Sequence, residues 1–256
     1  MRIHNPKMDL LLGSILLRPY VFLFLAAFLV VAARDLGLRR ALLFSGLVWP
    51  IAWLAEFSST RTGVPFGLYH YTGLTRGREL FIADVPFFDA LSFTFLAYAA
   101  FCLARRVLAG RTTSAPVLAA LSGFLMMMLD IVIDPVAVRG DRWFLGSIFA
   151  YAEEGAYFGV PLSNFAGWWL VGTLGVGAYL ACQARVRRAG TGGVGAGIAL
   201  YYAVLGFNLV VTVWIGEWGA LAAGLGLHAA MVLVLVAVVR RTQARDVLGT
   251  GGVQQA

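Results

Sequence analysis

Two aspartates four residues apart, Asp130 and Asp134, stand in the apolar run Met126-Met-Met-Leu-Asp-Ile-Val-Ile-Asp-Pro135. On a helix that spacing puts both carboxylates on one face. Pro135 is expected to end the helix, which leaves Asp130 about one turn inside the apolar layer. A carboxylate at membrane depth is costly and reads first as functional. A carboxylic acid kept neutral in a dry pocket can protonate a weak base, and burial beside a second acid favours that state in general. The structural alternative is an aspartate held by arginine or by loop amides, with Asp134 as a helix cap.

Two further segments carry chemistry-bearing residues. The first runs Glu56-Phe-Ser-Ser-Thr-Arg-Thr-Gly-Val-Pro-Phe-Gly-Leu-Tyr-His-Tyr-Thr72 and brings together Glu56, Phe66, Tyr69, His70 and Tyr71. Aromatics with polar tips also suit a membrane interface, so an interfacial belt competes with a site there. The second closes with Tyr157-Phe-Gly-Val-Pro-Leu-Ser-Asn164-Phe-Ala-Gly-Trp168, in which Tyr157, Phe158 and Gly159 echo the aromatic-Gly pattern of the first. Ser163 or Asn164 can cap the helix that follows. Asn208 and His228 are polar residues within apolar helices, read either as substrate contacts or as hydrogen bonds between helices. Arg61, Arg139 and Arg142 are the expected partners of nearby acids.

These residues need a scaffold, and composition identifies its solvent. The 256-residue chain is 60% hydrophobic and only 13% charged, with mean hydropathy +0.81. A soluble domain carries roughly 25% charged residues, because its surface must be clothed. Lipid therefore surrounds most of this chain. Its pI near 9.8 would suggest nucleic acid in a soluble protein. Here Lys7 is the only lysine, and arginines flank apolar runs as topology signals instead, which excludes nucleic acid as a partner. Without a lysine in any helix, a retinal Schiff base is excluded. No Walker loop, dinucleotide fingerprint, zinc spacing or His-rich cluster occurs. Cys102 and Cys182 read as inert thiols near span ends.

Seven runs are long enough to span the hydrocarbon: Leu16–Ala33, Leu38–Ala55, Phe87–Ala104, Pro116–Ile133, Phe165–Ala184, Gly197–Ile215 and Gly219–Val239. The fold class is thus an all-α, multi-pass bundle over residues 1–245, with a Gly-rich tail at 246–256 that is expected to be disordered. Arg34, Arg39, Arg40, Arg105, Arg106, Arg111, Arg185, Arg187, Arg188, Arg240, Arg241 and Arg245 fall at alternate ends of these runs. They assign one face to the cytoplasm and the N-terminus to the other side, with Arg2, Lys7 and Arg18 opposing. Glu56, Glu79, Asp84, Asp89, Asp130, Asp134, Asp141, Glu153, Glu154 and Glu217 gather on or near the opposite face, where both long loops lie. Loops of that length in a compact bundle are commonly functional.

The segments Val64-Pro-Phe-Gly-Leu-Tyr-His-Tyr-Thr72, Asp130-x-x-x-Asp134-Pro-Val-Ala-Val-Arg139 with Trp143, and Tyr157 to Trp168 together resemble signatures of the membrane carotenoid hydratase family, which acts in bacterioruberin- and deinoxanthin-type pathways. The resemblance runs from about Glu56 to Trp169, with three motifs in order. One departure is Phe93, where the family tends to place a tryptophan. The resemblance implies addition of water across the terminal double bond of an acyclic carotenoid, giving a tertiary alcohol. It also implies a multi-pass protein of the bacterial inner membrane whose partners are a lipophilic carotenoid, membrane lipid and other enzymes of the pathway. It supplies no catalytic residues, so roles rest on the residues themselves.

Hydrating a trisubstituted alkene needs a proton donor, stabilisation of the tertiary cation and one positioned water. Asp130 is expected to donate the proton, and Asp134, Glu56 or Asp89 to orient the water, with His70 a further catalytic candidate. Phe66, Tyr69, Tyr71, Tyr157, Phe158 and Trp168 would line the site, and aromatic faces can stabilise a cation in a dry pocket. Asn164, Asn208 and His228 complete the expected substrate contacts. No metal or organic cofactor is required. An isoprenoid cyclase could use the same acid and lining, and a non-catalytic carotenoid- or lipid-binding protein is the reading from outside enzymology.

Overall fold

The computed structural model describes residues 6–110, 113–183 and 194–251, with side chains over 8–110, 113–183 and 194–240. Arg2, Arg111, Arg185, Arg187 and Arg188 lie outside the described residues, as do the side chains of Lys7, Arg241 and Arg245 and residues 252–256 of the tail.

Among the described residues the chain forms α1 (Pro6–Leu17), α2 (Pro19–Leu36), α3 (Leu38–Thr62), β1 (Tyr69–Tyr71), β2 (Phe81–Ile82), β3 (Val85–Pro86), α4 (Phe87–Val107), α5 (Ala115–Ala137), a 3₁₀ turn at Gly140–Arg142, β4 (Phe149–Tyr151), α6 (Leu162–Gln183), α7 (Val194–Trp214) and α8 (Trp218–Gly251). Seven of the eight helices, α2 to α8, are long and apolar enough to cross a bilayer, as the hydropathy pattern requires. α8 continues past Asp246 to Gly251.

The beginning of the first run differs from expectation. Leu16 and Leu17 belong to a separate short helix, and the span itself starts at Pro19. Proline disfavours helical backbone in the residue before it, and Arg18 accordingly leaves the helix at φ −128°, ψ 54°. α1 then lies along the first long loop, where Ser14 Oγ accepts the Leu80 N–H at 3.2 Å. Its Leu11, Leu12, Ile15 and Leu16 stay exposed, as suits a helix at a membrane interface.

α4 is the buried centre of the bundle and packs against α2, α3, α5 and α7. α5 and α6 form the most extensive helix pair. Gly123 and Gly172 meet there backbone to backbone, since a Cβ on Gly172 would stand 2.8 Å from the Gly123 Cα. Small residues at such a crossing allow close van der Waals packing in lipid, where no hydrophobic force draws helices together. The second correction concerns Pro135, which does not end α5. The helix runs to Ala137, with the Pro135 carbonyl bonded by Arg139 Nη1 at 2.8 Å and the Val136 carbonyl by Trp143 Nε1 at 3.1 Å. Near a helix end proline sacrifices one hydrogen bond, and side-chain donors here satisfy the orphaned carbonyls.

The two long loops fold together on one face. β1 and β4 pair antiparallel, Tyr69 opposite Tyr151 and Tyr71 opposite Phe149, and the ladder is extended by Thr72 N–H to Ile148 O and Ala152 N–H to Leu68 O, each 2.9 Å. β2 and β3 form a second small hairpin leading into α4. These strand pairs are minor additions to an otherwise helical fold.

Candidate functional site

The β1–β4 ladder determines which aromatics face inward. Residues directly opposite in an antiparallel pair share a face, and neighbours along a strand alternate. Tyr69, Tyr71, Phe149 and Tyr151 therefore project together, with ring centroids 5.5–5.9 Å apart. They roof a cavity of about 130 Å³. His70 falls on the other side of the strand and is exposed, so it does not reach the cavity.

Below this roof, α3 supplies Glu56, α4 Asp89 and Phe93, α5 Asp134, α6 Asn164 and Trp168, and α7 Asn208 to the cavity wall. Phe66 joins them from the first loop. Its N–H bonds Ser59 Oγ at 3.0 Å, and its ring lies over Gly167, where a Cβ would clash with both the ring and the Pro65 carbonyl carbon. Gly167 thus explains why the second motif needs glycine one residue before Trp168. Trp168 stacks on Phe93 with centroids 4.3 Å apart and planes 17° apart. Phe93, the departure from the family pattern, is part of the wall itself.

The carboxylates divide into two groups. In the first, Asn164 Nδ2 bonds Asp130 Oδ2 at 2.6 Å and Asp134 Oδ2 at 2.7 Å, and Tyr151 OH donates to Asp134 Oδ2 at 3.2 Å. Asn164 thus sits inside the first turn of α6 with its side chain turned to the aspartates rather than capping the helix. Asp130 is fully buried behind Asp134, its Oδ1 without a hydrogen-bond partner, and only Asp134 of the two faces the cavity. In the second group, Tyr71 OH lies 2.9 Å from Asp89 Oδ2 and 3.2 Å from Glu56 Oε2. One hydroxyl proton serves both acids.

Arg18 anchors this second group. It grips Glu79 through Nε and Nη2 at 2.8 and 3.2 Å and reaches Asp89 Oδ1 through Nη1 at 3.0 Å. Burial works against its charge, but Asp89 and Glu79 more than offset this and hold the guanidinium more firmly protonated than usual. Burial, then the neighbouring acids, pushes the phenols of Tyr71 and Tyr151 well above their ordinary range, so both remain hydrogen-bond donors. Among the described residues, Arg18 is the sole cation lining the cavity. Glu56, Asp130 and Asp134 are bonded by neutral groups, a tyrosine or an amide, among the described contacts. Carboxylates in an apolar pocket with one guanidinium among them cannot all be ionised without a large desolvation cost.

Of the expected lining, Phe66, Tyr69, Tyr71, Asn164, Trp168 and Asn208 meet at the cavity. Tyr157 and Phe158 do not. They meet each other edge-on with centroids 4.8 Å apart, and Phe158 presents its carbonyl to Arg139 at 2.7 Å. His228 is buried on α8 and contacts the Gly224 carbonyl at 2.9 Å, away from the cavity wall. Arg61 pairs with Asp84 at 2.9 Å, Arg139 with Glu217 at 2.8 Å, and Arg142 also binds Glu217. Sequence reasoning missed Arg18, Glu79 and Tyr151 as members of the network, and Tyr20, Phe24 and Phe207 as wall residues. An arginine directly before a proline at the start of an apolar run was the available signal for Arg18.

No solved structure matches this chain. Bisanhydrobacterioruberin hydratase of Haloarcula japonica is 34% identical over 121 residues, which are 47% of this chain and 38% of that protein's length. The sequence profile of the carotenoid biosynthesis proteins matches residues 17–233, from Arg18's neighbour through most of α8's span, and so takes in every residue of the cavity. With a match over most of its length and a multi-pass helical bundle to carry it, the chain belongs to the carotenoid biosynthesis protein family.

Proposed function

We propose that this protein hydrates the terminal double bond of an acyclic carotenoid end group by acid catalysis, in the bacterial inner membrane and with its cavity toward the non-cytoplasmic side. The observation that carries the reading is an aromatic-walled cavity in which Asp134 accepts from Tyr151 and Asn164 and Glu56 from Tyr71, with no direct ion pair to either among the described residues. The similarity to a bacterioruberin-pathway hydratase supports water, rather than an internal alkene, as the group that traps the cation.

Asp134 donates the proton, a role that moves to it from Asp130 because Asp134 faces the cavity. The proton adds to the CH carbon of the alkene and leaves a tertiary cation at the carbon bearing two methyls. Faces of Phe66, Phe93 and Trp168 stabilise it, each such contact contributing on the order of 1 kcal/mol or more in a dry site. A water held by the Glu56–Tyr71–Asp89 group attacks the cation, and its surplus proton passes to Glu56 or Asp89. One proton enters from Asp134 and one leaves to the second group, so the net change is addition of one water. The proton left on the second group then returns to Asp134 by way of water in the cavity, which restores both groups. Asp130 and Asn164 act through Asp134 as positioning residues.

The experiment is expression in a bacterial host that accumulates lycopene or a monocyclic carotene, with extracted pigments analysed by mass spectrometry. A product heavier by one water, absent with the Asp134→Asn variant at equal expression, is expected. An isomer of unchanged mass would turn the reading to a cyclase, and unaltered co-purifying pigment to a carotenoid-binding protein.

A further inference from the structure

A carotenoid is far longer than the cavity that would receive its end group, so the rest of the molecule must pass through a wall. The β1–β4 roof leads to water, where each Å² of exposed apolar surface costs about 25 cal/mol. The α5–α6 wall is closed by backbone contact at Gly123 and Gly172. The seam between α2 and α7 is different. Tyr20 and Phe24 of α2 and Phe207 of α7 line the cavity, as does Trp143 from the second loop. Tyr20 stacks on Phe207 with centroids 5.2 Å apart and planes 17° apart, and Phe24 meets the same ring edge-on at 5.8 Å. Among the described residues no hydrogen bond or ion pair joins α2 to α7, so only side-chain packing closes this seam.

The ring contacts continue outward. Tyr20 and Trp143 both touch Phe144, at 5.6 and 4.8 Å, and Phe144 meets Trp214 at 6.5 Å. Tyr20, Trp143 and Phe207 are half-buried, while Phe144 and Trp214 are 47% and 65% exposed. A continuous aromatic path thus leads from the cavity wall to the outer surface of the bundle.

We propose that the seam between α2 and α7 is a lateral mouth for an apolar polyene, gated by the Tyr20–Phe207 stack, which lets the reacting end enter while the remaining chain lies in lipid. The proposal rests on the carotenoid reading of the site. Ring stacking without hydrogen bonds suits a gate, because parting the rings leaves no buried polar group unpaired. Flat aromatic faces are also the surface along which a conjugated chain can slide.

The test places a photo-crosslinking benzoylphenylalanine at Phe207, or at Leu170, an exposed residue on the outer face of α6, in the full chain expressed in carotenoid-accumulating membranes. After illumination, pigment adducts are read by mass, and hydration is assayed in parallel membranes that carry the unsubstituted chain. Adducts at Phe207 with none above background at Leu170 are expected. Hydration with adducts at neither position, or equally at both, overturns the lateral mouth and leaves the hydratase reading standing. Absence of both hydration and adducts removes the carotenoid itself and overturns both. Adducts at Phe207 without hydration support the mouth and overturn the proposed reaction.

Discussion

The bundle buries aspartates near both of its faces, and the two environments are built differently. Near the arginine-rich face, Asp35 receives Arg105 Nη1 at 2.6 Å and Tyr98 OH at 3.0 Å, with Cys102 Sγ at 4.0 Å, and it does not line the aromatic cavity. On the loop face, Asp134 receives Tyr151 OH and Asn164 Nδ2 and opens onto an aromatic cavity. Both use a tyrosine hydroxyl. The difference is the direct cation and whether the carboxylate faces the aromatic cavity. The guanidinium of Arg105 makes Asp35 a clamp between α2 and α4. An amide and a phenol leave the acid free to give up and regain a proton. On the proposed reading, partners and access, rather than burial alone, separate the acid that reacts from the acid that clamps.

The comparison can be broken in several ways. Asp134→Asn should have the largest effect, lowering hydration by about two to four orders of magnitude, the range general acid catalysis supplies, as read from the one-water product at equal expression. Tyr71→Phe should cost about ten- to a hundredfold in turnover, because it removes the hydroxyl shared by Glu56 and Asp89, a bond to charged acceptors on the order of 1.5–3 kcal/mol. Arg105→Met sharpens the contrast from the other side. It leaves Asp35 buried without its cation and should destabilise the protein by about 3–5 kcal/mol in thermal melts in detergent, with turnover per folded molecule unchanged. Arg61→Ala breaks a partly exposed pair with Asp84 and should change stability by less than about 1 kcal/mol and turnover not at all.

The spans were legible because lipid imposes one strong constraint, long uncharged runs, and each of the seven expected runs corresponds to a helix in the bundle. The face carrying the site was legible from the segregation of acids and arginines. What escaped the sequence were pairings across long separations. Tyr151 reads as a loop aromatic until β4 is laid against β1, where its partner is Tyr69, 82 residues earlier, which turns it toward Asp134. Arg18 reads as a topology charge until α1 breaks before Pro19 and Glu79 and Asp89 are within reach. Tyr157, Phe158 and Gly159 echo the aromatic-Gly pattern of the first loop at Phe66 and Gly67. The backbone at Phe158 adopts φ 50° and spends its carbonyl on Arg139, and this side of the loop turns away from the cavity. Asp130 and Asp134 share a helical face as spacing requires, yet depth along that face separates their surroundings.

The most direct test of the central claim follows the one-water product from purified, reconstituted protein carrying Asp134→Asn or Asp35→Asn. The account predicts that the first falls to background while the second, once corrected for folded protein, turns over as the unmodified chain does. Undiminished hydration by Asp134→Asn, or its loss in a well-folded Asp35→Asn, would contradict it.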